Sequence, residues 1–105
     1  MQIQFNTDSS IEGRENLAAH FGGVVENALK RFGDRITRVE VHLSDERGFR
    51  NGEDAKRCML EARLKGRRPM AVAHQAATLH QAVDGAVDRL QRSIERTLDR
   101  LYDHG

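Results

Sequence analysis

Four arginines near the C-terminus, Arg89, Arg92, Arg96 and Arg100, recur at spacings of three and four residues, which puts them on one side of a helix. A row of guanidinium groups offers planar forks that hold phosphate oxygens bidentately, so the chemistry suggested is recognition of a phosphodiester backbone. The same residues fit a second reading. In it the face is merely solvated, Asp88 pairs with Arg92, and Asp99 and Asp103 balance the rest, each pair adding about 0.2–0.5 kcal/mol. Two further basic groups stand elsewhere: Lys30, Arg31, Arg35 and Arg38, then Arg63, Lys65, Arg67 and Arg68. If two helices lie side by side, the first of these groups lines a groove with the arginine row. The spacing alone leaves both readings open.

Catalytic chemistry finds little to work with. His20, His42, His74, His80 and His104 are scattered, without the helical i, i+4 pairing or the cysteine cluster of a metal site. Cys58 alternates with apolar positions, where a lone cysteine behaves as a small hydrophobe. Asp84 and Asp88 lie one turn apart but early in a helix, where carboxylates meet the positive end of the macrodipole. No GxxxxGK[ST] or strand-linked GxGxxG is present to cradle a nucleotide phosphate. The expectation is no enzyme, no metal, no cofactor and no small-molecule substrate.

The elements that must position the arginines follow from periodicity. Met1, Ile3 and Phe5 alternate with Gln2, Gln4 and Asn6, the period of a half-buried strand. After a polar connection at residues 9–13, Leu17, Phe21, Val24, Val25, Ala28, Leu29 and Phe32 form one helical stripe that Gly33 closes as a C-cap. Gly22 and Gly23 inside this helix each cost about 0.8–1 kcal/mol against alanine, so the helix bends there or another backbone comes close. From Ile36 the period returns to two, with Val39, Val41 and Leu43 inward and Arg38, Glu40, His42 and Ser44 outward. Residues 45–56 read as a long charged turn. Cys58, Leu60, Ala62 and Leu64 make a third strand, Gly66-Arg67-Arg68-Pro69 a hairpin turn, and residues 70–73 a fourth strand. Thr78 and Gln81 form a capping box before a long helix carrying Leu79, Ala82, Val83, Ala86, Val87, Leu90, Ile94, Leu98 and Leu101 on its apolar face and ending near Tyr102. The order βαβββα predicts a single α+β domain, a four-stranded mixed sheet with both helices on one face and the other face open.

The chain has the 105 residues of one ordinary domain. Its 38% hydrophobic and 31% charged residues sit well away from the signature of disorder. A net charge of +1 says little about an anionic partner, so the distribution of charge carries that argument. With one cysteine, no basic-apolar leader in MQIQFN and no apolar run long enough to span a bilayer, a cytoplasmic protein without a membrane role is expected. Of the aromatics, Phe5, Phe21 and Phe32 belong to the core pattern, with Phe49 and Tyr102 outside it. The open sheet face therefore lacks a base-stacking platform, and backbone and shape recognition of structured RNA is the more natural mode.

Two stretches carry a family likeness: Phe32-Gly33-Asp34-Arg35-Ile36 leading into Val39-Glu40-Val41-His42-Leu43, and Ala82-Val83-Asp84-Gly85-Ala86-Val87-Asp88-Arg89-Leu90 followed by Arg92 and Arg96. In joint order and spacing they resemble the hibernation promoting factor and ribosome-associated inhibitor A family, also called sigma-54 modulation proteins. The likeness runs over nearly the whole chain. It implies the βαβββα fold and binding to the small ribosomal subunit, where family members block the mRNA and tRNA channel and stop translation during stress. Carried over by position, it implies 16S rRNA as the ligand of Arg89, Arg92, Arg96 and Arg100, with Lys30 and Arg31 late in the first helix. It also implies a short form, acting as a monomer without the C-terminal dimerisation domain of long members. The chain departs from the family pattern in lacking an aromatic before the second helix's Ala-Val-Asp segment and in its longer charged loop at residues 45–56.

Two other classes of function compete. The open sheet face could serve a protein partner, as a transcription-factor modulator would, with the arginines only solubilising their helix. The element order also resembles that of double-stranded RNA binders, although a basic loop before the second helix is missing.

Overall fold

The structure, a computed structural model, describes residues 1–8, 11–46 and 55–103, the last two by their backbone alone. Strand β1 (Gln2–Thr7) is followed by helix α1 (Arg14–Leu29), a 3-10 segment (Lys30–Arg35), β2 (Ile36–Asp45), β3 (Lys56–Leu64), β4 (Met70–Ala76) and helix α2 (Leu79–Asp103). The expected βαβββα order is what forms. The four strands lie in the order β1-β2-β3-β4, with β1 parallel to β2 and the other pairs antiparallel, a mixed sheet with free edges on β1 and β4.

Register explains which side chains enter the core. Ile3, Phe5 and Thr7 oppose Val39, Val41 and Leu43. These in turn oppose Ala62, Leu60 and Cys58, and Cys58, Leu60 and Ala62 oppose His74, Val72 and Met70. Because side chains alternate across a strand, this lattice shares one sheet face. Ile36 and Val39 are both buried despite their odd separation, since a bulge between Ile36 and Arg38 shifts the register there.

Both helices close that face. Phe21, Val25 and Leu29 of α1 and Ala82, Val83, Ala86, Val87, Leu90 and Ile94 of α2 join the strand residues in one apolar cluster. α2 lies across β3 and β4, and α1 across β1. Among the described residues no polar or charged side chain is buried, so the core is held by apolar burial, about 25 cal/mol for each Å² removed from water.

The ends of the elements follow local chemistry. The Gln81 amide donates to Thr78 Oγ1 at 3.1 Å, which is the expected cap of α2. The α-helical part of α1 stops at Leu29. Tighter 3-10 turns then bring Phe32 into the core, and Gly33 at φ 57° turns the chain toward β2. Gly66 at φ 71° serves the β3–β4 hairpin, where the Arg67 amide donates to the Leu64 carbonyl at 3.1 Å. β4 runs three residues further than the sequence pattern suggests. The glycine pair of α1 has a plainer explanation than close approach: nothing lies within 4 Å of a Cβ built at Gly22 or Gly23, and α1 is one continuous helix. Most of the predicted charged loop at residues 45–56, with Phe49, and also His104, lie outside the described residues.

Candidate nucleic-acid interface

α2 has differently charged flanks, and the helical repeat of 3.6 residues decides which residues go where. Leu90 and Ile94 point into the core. On the side toward α1, the Gln91 amide donates to the Ala28 carbonyl at 3.0 Å and Arg31 forms an ion pair with Glu95. On the side toward β4, Arg89, Arg92, Ser93 and Arg96 line a concavity of about 670 Å³ with Ala71, Val72 and Ala73. Further along, Arg100 and Thr97 line another of about 520 Å³ with Gly66, Arg67, Arg68 and Met70. The two lie end to end along the free edge of β4.

All six arginines of this edge, Arg67, Arg68, Arg89, Arg92, Arg96 and Arg100, are exposed. Arg92 reaches Asp88 at 2.9 Å, one turn earlier on the helix, and both side chains are more than half exposed, so the pair is weak. No carboxylate lines either concavity. The groove is therefore a strip of cationic, hydrogen-bond-donating side chains that offers planar forks to an anionic polymer.

The structure thus joins the arginine row to Arg67 and Arg68 of the hairpin group. Of the first-helix group, Arg31 lies on the opposite flank of α2, its guanidinium 4.7 Å from the centre of the Phe32 ring and paired with Glu95. Lys30 lines a separate concavity of about 410 Å³ with Met1, Gly23, Glu26, Asn27 and Gly33. Adjacency of α1 and α2 does occur, yet it places an acidic residue, Glu95, opposite Arg31. Ser93, Thr97, Ala71 and Ala73 are groove residues that sequence reasoning missed. The signal available for them was that Ser93 and Thr97 fall between the arginines on the same helical side.

The other sheet face carries Gln2, Gln4, Asn6, Arg38, Glu40, His42, Ser44, Arg57, Met59, Glu61, Arg63, Ala71, Ala73 and Gln75 by register. Its charges pair locally: Arg38 lies 3.1 Å and His42 3.8 Å from Glu40. No aromatic ring stands among them, so stacking of bases has no platform there.

Two histidine arrangements were invisible in the sequence. Cys58 and His74 are cross-strand partners, the placement a thiol nucleophile and its base would need. Burial, however, pushes the Cys58 thiol up to about 12, with the Arg57 charge pulling it partly back, so it is a protonated core side chain. His20 and His80 bring α1 and α2 together, ring centres 6.0 Å apart, and His80 Nδ1 lies 3.1 Å from Asp84 Oδ2. Among the described residues no group of three or more histidines, cysteines or carboxylates could hold a metal ion, and no helix is long and apolar enough to cross a membrane.

A βαβββα sheet-and-helix domain whose main chemical feature is an arginine-lined groove defines a binding protein built for a polyanion. Residues 7–102 match the family described as Sigma 54 modulation protein / S30EA ribosomal protein, and the chain belongs to that family, a ribosome-associated rather than an enzyme family. The fold is shared with two solved structures. The N-terminal domain of Thermus thermophilus Protein Y superposes with a TM-score of 0.71 at 23% identity, over 92% of this chain and 99% of that one. A ribosomal subunit interface protein from Coxiella burnetii gives 0.70 at 15% identity, over 94% and 99%. No curated protein matches the chain.

Proposed function

We propose that this protein is a ribosome hibernation factor that binds 16S rRNA of the small subunit and occludes the path of mRNA and tRNA, regulating translation under stress. It acts by steric binding as a cytoplasmic monomer, with no bond made or broken and no cofactor. The observation that carries this reading is the groove between α2 and the β4 edge, lined by Arg89, Arg92, Arg96, Arg100, Arg67 and Arg68 with no carboxylate among them. Membership of a family described partly as S30EA ribosomal protein, and the name of the Coxiella relative, a ribosomal subunit interface protein, support the ribosome as the partner.

The family description also includes sigma 54 modulation, which keeps a protein partner for the open sheet face as the second reading. The local pairing of Arg38, Glu40 and His42 leaves that face with less unbalanced charge than the groove.

Sedimentation of the protein with purified ribosomes at low and high salt tests the proposal. Comigration with 30S and 70S particles that is lost as salt rises is expected, because each phosphate contact releases a counterion. Absence from the ribosomal fractions at low salt would transfer the function to a protein partner.

A further inference from the structure

We infer that the α2–β4 groove holds one extended single strand of RNA by its phosphates, without reading its bases and without admitting a duplex. The inference rests on the rRNA reading above and specifies the form of RNA that the groove accepts. Its dimensions argue for a single strand. Arg89 to Arg100 spans eleven residues of helix, about 16 Å at 1.5 Å per residue, and β4 runs alongside for a similar length. Concavities of about 670 and 520 Å³ shared over that length leave a cross-section roughly 8–9 Å across. Even the major groove of a duplex is about 12 Å wide, so a whole duplex could touch only the rim of this channel.

The lining argues for backbone contact. Steps of three and four residues along α2 place successive guanidinium groups about 4.5–6 Å apart along the axis, so neighbouring phosphates of one strand can each meet an arginine. Ser93 and Thr97 stand between them as hydroxyl donors. The opposite wall is the outer edge of β4, which no strand covers and whose outward backbone amides are donors as well. No lining residue is aromatic, so the bases have nothing to stack on and face solvent.

The experiment is fluorescence anisotropy with ten-nucleotide oligouridylate and oligoadenylate, a sixteen-base-pair RNA duplex and a ten-residue oligoglutamate, at salt from about 50 to 200 mM. Both single strands should bind within about twofold of each other and at least tenfold tighter than the duplex, with a log–log salt slope of about −2 to −4, as three to five phosphate contacts require. Ser93→Asp, with a native circular dichroism spectrum, should weaken them about tenfold by placing a carboxylate among Arg89, Arg92 and Arg96. Equal or tighter binding of the duplex overturns the inference, as does absence of oligonucleotide binding. Oligoglutamate binding as tight as the oligonucleotides overturns it in favour of an acidic peptide. In each of these failures, salt-sensitive comigration with ribosomes would still leave the ribosomal reading standing.

Discussion

The imidazole of His74 on β4 occupies the space that any side chain at Gly85 of α2 would need: a Cβ built there meets His74 Cδ2 at 2.0 Å and Nε2 at 2.4 Å. Gly85 thus sets how closely α2 approaches β4, and these two elements are the walls of the arginine groove. Gly85→Ala must push the ring aside or lift the helix, a strain typically costing about 1–3 kcal/mol. Urea denaturation should show that loss. His74→Ala in the same chain should return part of it, so the double-mutant cycle should give a coupling well above the roughly 0.3–0.5 kcal/mol of independent sites.

Gly22 and Gly23 present the opposite case. Neither has positive φ and nothing within the chain crowds either one, so each carries the helical penalty of glycine without a packing return. Gly22→Ala and Gly23→Ala should each raise stability by roughly 0.5–1 kcal/mol, measured as a higher urea midpoint with an unchanged slope. A loss of stability in either variant would mean that α1 needs the missing side chain for a reason outside its own packing.

Cys58 supplies a pH dependence. Its thiol is held at about 12 by burial against an ordinary value of 9.0, so the folded state favours the neutral form. The unfolded chain ionises first as pH rises. The stabilisation linked to the neutral thiol is whole below about 9 and declines as pH climbs from there toward 12. Denaturation midpoints should fall over that window in the natural chain and fall less in Cys58→Ala. At neutral pH the native thiol should resist alkylation and react once the protein is unfolded.

Most of the fold was legible because its signals are local. Period-two runs such as Val39, Val41 and Leu43, the stripe of α2 and the Thr78 cap each commit a segment without reference to the rest. The site was legible only in part. Arg89, Arg92, Arg96 and Arg100 share a helical side by spacing alone, but which neighbour that side faces depends on the crossing of α2 over β3 and β4, a long-range outcome. Adjacency of the helices therefore suggested Lys30 and Arg31 as groove partners, whereas the groove opens toward Arg67 and Arg68. The Gly85–His74 contact was hidden for the same reason, as was the pairing of Cys58 with His74 across the sheet.

Charge reversal on the two flanks of α2 separates the basic groups by function. Arg92 and Arg96 are exposed, and the Arg92–Asp88 pair stands in solvent, so Arg92→Glu with Arg96→Glu should leave the fold intact, at a cost of about 1 kcal/mol or less from the lost pair. The same double variant removes two of the four α2 guanidinium groups and adds two carboxylates to the strip, so salt-sensitive comigration with ribosomes should be abolished. Arg31→Glu faces Glu95 instead. Like charges there loosen the α1–α2 contact modestly, while the β4 groove keeps all its arginines, so ribosome comigration should persist at low salt with little change. If Arg31→Glu removes comigration and the folded double variant retains it, the binding surface lies on the α1 side of the helix, and the β4 edge has no part in holding RNA.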